Sequence, residues 1–174
     1  MRNRSIPGKP GSRLPRQTRG NPRLTEERHD PYRDSAKLRS PRRCAQCNAT
    51  YVKGRWRWEA LTPPAPATAL CPACRRSKDR YPAGELLLRG DFVVAHADEI
   101  LRLVRNVESA ETQQHPLHRI MDIRRRQGEI AITTTDVHLP RRLGHALEGA
   151  WHGQLAMHYD EAGYFARVTW ERNG

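Results

Sequence analysis

Apolar residues recur every three or four positions in two stretches of the C-terminal half, which is the pattern of an amphipathic helix. The first stretch predicts a helix over 95–113, with an apolar face of Ala97, Ile100, Leu101, Val104, Val107 and Ala110. The second helix is predicted to begin after Asp136 as its N-cap and to end before Gly153. Its apolar face is formed by Val137, Leu143, Leu147, Ala150 and Trp151.

Between and after these helices, apolar and polar residues alternate in the manner of half-buried strands. One hairpin is predicted from 117–124 and from the alternating Ile130, Ile132 and Thr134, with a turn at 126–128. The other has alternating apolar residues on both sides of a turn at 160–163, namely Leu155, Met157, Tyr159, Tyr164, Ala166, Val168 and Trp170. The predicted order over 85–174 is therefore α-β-β-α-β-β, an α+β sandwich with helices on one face of an antiparallel sheet.

Residues 44–84 form a different unit, which contains all four cysteines. Cys44-Ala45-Gln46-Cys47 and Cys71-Pro72-Ala73-Cys74 are two C-x-x-C pairs with 23 residues between them. Two residues between paired thiolates let a tight turn direct both sulfurs at one ion, and two such turns complete a tetrahedral site. We therefore expect one structural Zn²⁺ on Cys44, Cys47, Cys71 and Cys74, with no coordination position left for a substrate.

Two other interpretations of the cysteines were weighed against zinc. Disulfides are disfavoured because the sequence shows no secretory signal. A redox-active C-x-x-C needs one pair on a βαβ scaffold, whereas this chain has two pairs. Structural zinc is the interpretation that we prefer.

Residues 51–58, between the two pairs, alternate in the way of a strand and predict a zinc-ribbon hairpin. The alternation places Trp56 and Trp58 on one face and Arg55 and Arg57 on the other. Packing of the tryptophans beside the metal is favoured, since small zinc modules have few apolar residues with which to build a core. Stacking of the same rings on unpaired bases is the alternative.

The chain is strongly basic, with 31 Lys+Arg against 19 Asp+Glu, a formal net charge of +12 and a sequence pI near 10.4. Such a balance favours polyanionic partners. Residues 1–43 carry 13 of the basic residues, 4 acidic residues and six prolines. We predict that this arm is disordered when free. An arginine-rich arm that orders on phosphates, a solubilising tail and a mitochondrial transit peptide all remain open for it.

Basic and aromatic residues of the zinc unit, with two arginines of the second helix, are the predicted RNA contacts. They are Arg55, Trp56, Arg57, Trp58, Arg75, Arg76, Lys78, Arg80, Arg141 and Arg142. The start of the second helix could receive a phosphate on its free N–H groups. The negative charge of Asp136 already suits that position, so a plain cap is the preferred interpretation.

Other candidate chemistry is sparse. His138, His145 and His152 are spaced by seven, about 10 Å at a helical rise of about 1.5 Å per residue, which is too far for one ion. We expect that stripe to face solvent or RNA. The sequence contains no G-x-x-x-x-G-K-[ST] phosphate loop and no G-x-S-x-G elbow, and we predict no catalytic residue. No apolar run reaches the length of a membrane span, so a cytoplasmic protein is expected.

Several motifs together resemble a family of bacterial zinc-ribbon proteins. They are the two C-x-x-C pairs, the second continued by Arg75-Arg76, Gly54-Arg55-Trp56, Tyr81-Pro82-Ala83-Gly84, His115-Pro116-Leu117 with Arg119-Ile120-Met121, Ile132-Thr133-Thr134-Thr135-Asp136 and His138-Leu139-Pro140-Arg141-Arg142. More distantly, residues 44–160 are similar to the "nonsense-mediated decay three" family of adaptors for maturation and export of the large ribosomal subunit. Those adaptors carry more C-x-x-C pairs and an export signal that this chain lacks. The resemblance implies contact with the ribosome or ribosomal RNA, and it transfers only the four cysteines as matched positions.

The sequence thus predicts a non-enzymatic zinc-ribbon protein that binds RNA as a ribosome-associated assembly, maturation or stress-related factor. Two alternatives belong to other classes. One is an adaptor that docks on an acidic protein. The other is a nucleic-acid hydrolase whose site is assembled from scattered acidic and histidine side chains.

Overall fold

The computed structural model describes residues 30–32, 40–61, 67–161 and 163–174. The predicted disorder of the basic arm concerns residues that lie almost entirely outside these ranges. Among the described residues, no helix combines the length and apolar character that crossing a bilayer requires.

The N-terminal part is a small sheet followed by a helix. Its elements are β1 (Arg42–Cys44), β2 (Thr50–Val52), β3 (Arg55–Arg57), β4 (Ala67–Ala69) and α1 (Pro72–Asp79). The strand order is β3-β2-β1-β4, with β1 and β4 parallel and the other neighbours antiparallel. Residues 51–58 do not form the single alternating strand that their pattern predicts, because they fold into the antiparallel hairpin of β2 and β3. Lys53 and Gly54 turn it with φ values of 50° and 83°, as a two-residue hairpin turn with positive φ at both positions requires.

The C-terminal part is a five-stranded sheet with helices. Its elements are β5 (Gly84–Arg89), α2 (Asp91–Ala95), α3 (Ala97–Gln114), β6 (Ile120–Arg126), β7 (Glu129–Thr134), α4 (His138–Trp151), β8 (Gln154–Tyr159) and β9 (Ala166–Glu171). The strand order is β6-β7-β5-β9-β8, with β5 and β9 parallel and every other pair antiparallel. The predicted mixture of helices with mainly antiparallel sheets is confirmed.

The core of this part lies between one face of the sheet and helices α3 and α4. Inward side chains alternate along each strand, as the pleat requires. The largest fully buried ones are Trp170, Leu86, Leu88, Ile100, Ile132, Leu139, Leu143 and Leu147. Both predicted helices and their apolar faces are therefore present. Ala110 and Ala150 are exceptions, because they lie exposed near the ends of α3 and α4 respectively.

Two details of the predicted sheet were wrong. Strand β5 was not predicted, although it lies at the centre of the sheet and pairs in parallel with β9. The sheet is consequently not wholly antiparallel. In addition, the strand predicted from Leu117 begins at Ile120, where a register shift opposite Thr134 and Thr133 inserts Met121 as an extra residue.

Helix α4 approaches the sheet closely at Gly144. A Cβ at this position would lie 2.8 Å from Leu155 Cδ1 and 2.9 Å from Val168 Cγ1. Gly149 lies on the same helix, and nothing is within 4 Å of the corresponding position there. Only the first of these glycines is therefore required by packing.

Candidate metal centre and basic surface

The four cysteines come together from three elements of the N-terminal part. Cys44 ends β1, Cys47 lies in the turn that follows, and Cys71 and Cys74 lie at the start of α1. Their sulfurs all lie within 4.8 Å of one another, and none is in a disulfide. Metal–sulfur bonds of about 2.3 Å place tetrahedral sulfurs about 3.8 Å apart. The four sulfurs therefore have the spacing that one tetrahedral metal ion needs.

Backbone N–H groups support the negative charge of these sulfurs. The Cys71 Sγ accepts from the Cys74 N–H at 3.4 Å and caps α1, and the Cys44 Sγ accepts from the Cys71 N–H at 3.4 Å. The positive end of the helix dipole lies at the same place and favours thiolates there. The second cysteine pair thus lies on a helix rather than on a second hairpin.

Hydrogen bonds, burial and neighbouring charges shift the thiol pKa values of the cluster in different directions. Burial raises the pKa of Cys44, but hydrogen bonds from the backbone of Cys47, Cys71 and Gln46 lower it overall to about 6. Burial and the charges of Cys47 and Cys44 raise the pKa of Cys74 to about 11. Burial likewise raises the pKa of Cys71. Four thiolates at this spacing repel one another, so a divalent ion is the group that would stabilise all four together.

Arg119 is a second-layer residue that the sequence did not reveal. Its Nη1 lies 3.6 Å from the Cys74 Sγ, and its Nε donates to the Pro116 carbonyl oxygen at 2.6 Å. Burial opposes its charge, yet a hydrogen bond with Cys47 and the nearby thiolate charges raise its pKa. A site of four thiolates and one divalent ion has a net charge of −2, and Arg119 offsets part of it. The spacing of the sequence does not predict the contact between Arg119 and Cys74, because 45 positions separate the two residues.

The two predicted contact tryptophans have different environments. Trp56 is buried against the cysteine cluster, with its ring centroid 5.4 Å from that of Tyr51. Trp58 is 44% exposed, and its indole N–H donates to the Thr112 carbonyl oxygen of α3 at 2.6 Å. The Arg119 guanidinium lies 5.6 Å from the Trp58 ring centroid, within the range of a cation–π contact. Trp56 therefore packs beside the cluster, and Trp58 joins the cysteine unit to the C-terminal part.

Most of the predicted basic contacts lie at the surface of the cysteine unit. Arg55 and Arg57 are exposed on the edge strand β3, and Lys78 and Arg80 are exposed at the end of α1. Arg75 is half-buried, with its Nη2 donating to the Tyr32 carbonyl oxygen at 2.9 Å. These residues remain predicted RNA contacts.

Arg76 does not belong to that exposed surface. Its side chain is only 4% exposed and lies 2.5 Å from the Asp30 Oδ1. It also donates to the Tyr81 carbonyl oxygen at 3.2 Å. The sequence predicts that Arg76 belongs to one basic face with its neighbours, but adjacent positions of a helix point in different directions. Arg76 and Trp56 are both buried, so neither side chain lies on that face, and their contact with RNA stays a prediction.

The start of α4 is capped by the protein itself. The Asp136 Oδ1 accepts from the N–H groups of His138 and Leu139 at 2.7 and 3.0 Å, which confirms the predicted cap. Burial raises the pKa of Asp136. Arg141 is exposed nearby, and the Nη1 of Arg142 lies 3.0 Å from the Glu111 Oε1.

The histidines do not assemble a second metal centre. His138, His145 and His152 are exposed along α4, as predicted. His118 is held at 3.1 Å from the Glu111 Oε2 through its Nδ1. Within the described ranges, the four cysteines are the only group of histidine, cysteine or carboxylate side chains with the geometry to hold a metal.

Comparisons with protein-family models, with curated proteins and with solved structures gave no match. Inferences about function therefore rest on the cysteine cluster and on the arrangement of charge and aromatic rings around it.

Proposed function

We propose that this protein is a non-enzymatic zinc-binding protein that binds RNA and associates with the ribosome. The observation that carries the proposal is the concentration of positive charge in and before the cysteine unit. Residues 1–80 carry 20 Lys+Arg against 6 Asp+Glu, whereas residues 81–174 carry 11 against 13. Because phosphate neutralisation provides most of the non-specific affinity for RNA, the first 80 residues would provide most of the phosphate contacts.

Zinc has a structural role in this proposal. Four cysteine ligands fill a tetrahedral site, and a zinc ion held in that way supplies no water or Lewis-acid position for catalysis. It would join the end of β1 and the turn that follows to the start of α1, because these segments carry the four cysteines. Arg55 and Arg57 on β3 and Lys78 and Arg80 on α1 would then present a fixed basic surface.

The direct test measures RNA affinity of the full chain at several salt concentrations. A double variant, Arg55→Gln with Arg57→Gln, should weaken binding to RNA and reduce the slope of log affinity against log salt by about 0.7 for each lost contact with single-stranded RNA. The matched control is Arg102→Gln with Arg105→Gln, which removes two exposed arginines of α3 in the C-terminal part. Equal losses for the two double variants would contradict the assignment of binding to the cysteine unit.

Association with the ribosome needs a separate experiment. Lysate containing the tagged protein is fractionated on sucrose gradients at low and high salt, with and without ribonuclease. Co-sedimentation with a ribosomal subunit that high salt or ribonuclease releases supports the proposal. A protein that stays at the top of every gradient contradicts ribosome association. Co-purification of one protein after nuclease treatment, outside the ribosomal fractions, favours the alternative of an acidic protein partner.

A further inference from the structure

Tyr81 has an unusual position for a large aromatic residue. Its exposed fraction is 54%, compared with 44% for Trp58 and 41% for Tyr159, and no other Trp, Tyr or Phe in the described ranges is as exposed. It directly follows the basic end of α1, at the boundary between the cysteine unit and β5. An exposed ring at such a place costs hydrophobic free energy unless something covers it.

The Tyr81 ring is nevertheless held in place. It stacks on Tyr32, with ring centroids 5.5 Å apart and an interplanar angle of 29°. The buried Arg76 guanidinium lies 4.5 Å from the Tyr32 centroid and 5.8 Å from the Tyr81 centroid. The Tyr81 backbone N–H donates to the Arg76 carbonyl oxygen at 3.0 Å, and the Tyr32 hydroxyl donates to the Asp79 Oδ2 at 2.9 Å. A ring fixed in this way loses little conformational entropy when a ligand covers it.

The surroundings of Tyr81 suit a phosphodiester chain. Lys78 and Arg80 are exposed beside it, and Asp79 between them is engaged by Tyr32. A groove of about 640 Å³ begins at Ser77, Arg80 and Pro82 and continues over the face of the five-stranded sheet opposite α3 and α4 to Arg124 and Arg126.

The acidic residues of that groove are all paired with arginine. Asp122 lies 2.7 Å from Arg124, Glu129 lies 2.6 Å from Arg89, and Glu85 lies 3.2 Å from Arg167. The groove therefore presents no uncompensated negative charge that would repel phosphates.

We propose that Tyr81 is a stacking site for an unpaired nucleobase, so that the RNA bound at this point is single-stranded. This inference rests on the proposed RNA binding and specifies the class of RNA. A base offers its π-face to a side chain only when it is unstacked, whereas a duplex offers phosphates and groove edges. Trp58 is less suited to this task, because its ring is less exposed, at 44% against 54%, and its indole N–H already donates to the Thr112 carbonyl oxygen.

The test compares labelled oligo(A), oligo(U) and an RNA duplex of equal length in fluorescence anisotropy with the full zinc-loaded chain. Tyr81→Leu should weaken oligo(A) binding by roughly 5- to 150-fold, weaken oligo(U) binding less, and leave duplex binding unchanged. Tyr81→Phe should bind like the unaltered protein. Tyr159→Leu, which removes an exposed tyrosine from β8, is the matched control and should also bind like it. The salt slope should not change in Tyr81→Leu, because no phosphate contact is lost.

Several outcomes would overturn the inference. They are equal oligo(A) affinities for Tyr81→Leu and Tyr159→Leu, equal losses for Tyr81→Phe and Tyr81→Leu, and a loss in Tyr81→Leu that is the same for oligo(A), oligo(U) and duplex. The last result would indicate a general structural defect, which thermal unfolding of the variant would also reveal. If the unaltered protein binds none of the three RNAs, the proposed function itself is wrong.

Discussion

The Arg119 guanidinium and the Cys74 sulfur lie 3.6 Å apart and connect the two parts of the molecule. Arg119 precedes β6 of the large sheet, whereas Cys74 belongs to α1 of the cysteine unit. The backbone of Arg119 is itself fixed, since its N–H donates to the Thr135 hydroxyl at 3.0 Å. A change in the protonation or metal content of the cysteine cluster would therefore act on the contact between the two parts.

Arg119→Met should weaken metal binding, because it removes the charge and the donor but keeps an elongated side chain. Loss of a second-layer partner typically costs 10- to 100-fold in metal affinity, so we expect a loss of about that size. Chelator competition with the purified chain measures it. Arg105→Met removes an exposed arginine that pairs with Glu108 on α3 and serves as the control. Equal metal affinities for the two variants would show that Arg119 does not support the site.

Removal of the metal should unfold the cysteine unit and leave the C-terminal part folded. Trp56 packs against the cysteine cluster, whereas the core of the larger part contains no cysteine. Cys71→Ser should therefore abolish zinc binding and expose Trp56 while most of the helical circular dichroism remains. Zinc content, tryptophan emission and amide hydrogen exchange measure these effects. Complete unfolding of the chain would contradict the prediction.

Metal affinity should also increase with pH. The raised pKa values of Cys71 and Cys74 mean that these thiols carry protons at neutral pH without a metal. Binding must release those protons, so a higher pH favours the metal-bound form. Chelator competition at several pH values around neutrality tests this expectation. A pH-independent affinity would contradict the proposed thiolate ligation.

The ordinary pKa of an aspartate carboxyl group is 3.8. Because of Asp136, the free energy of unfolding should fall as the pH rises from this value through the higher pKa that Asp136 has in the folded protein. Burial raises the pKa in the folded state, so the folded chain binds more protons than the unfolded chain within this pH range. His118 and His138 oppose the shift through their charge. Asp136→Asn should remove this part of the pH dependence and keep the cap, while Asp136→Ala should cost about 1 kcal/mol. Urea unfolding at several pH values measures this effect. If the free energy of unfolding depends on pH in Asp136→Asn as it does in the unaltered protein, the prediction is wrong.

Substitution by alanine should change the free energy of unfolding in opposite directions at two glycines of α4. Gly144→Ala places a Cβ against Leu155 and Val168 and should lower the free energy of unfolding by about 1–3 kcal/mol. Gly149→Ala meets nothing within 4 Å and should raise it by about 0.5–1 kcal/mol through helix propensity. Urea unfolding of both variants distinguishes the cases. Stabilisation by both substitutions would mean that α4 does not approach the sheet as closely as described.

Local patterns predicted the elements whose faces differ in polarity. Helices α3 and α4 and the two hairpins of the C-terminal part have alternating or helical spacing, because one side meets the core and the other meets water. Strand β5 has no such contrast, since Leu86 and Leu88 are buried under the helices while Leu87 is half-buried on the other face. A continuous leucine run does not distinguish a central strand from a helix.

The candidate site was predictable only where chemistry follows sequence spacing. The C-x-x-C pairs identified all four members of the cluster, because adjacent turns place paired sulfurs together whatever the rest of the fold does. Arg119 and the burial of Arg76 depend on contacts between distant segments, with Cys74 and Asp30 as the respective partners. Such contacts leave no periodic trace in the sequence.

The parallel pairing of β5 with β9 also constrains the order in which the two parts of the chain can fold. Glu85 and Arg167 are neighbours in the sheet but are separated by 82 residues in the chain. The large sheet cannot close until that long loop is formed, which makes its folding slow relative to local structure. All four cysteines precede β5, so during synthesis the metal-binding unit is available to fold first. A nascent chain would then present the folded basic surface of the cysteine unit before the hydrophobic core of the C-terminal part has formed.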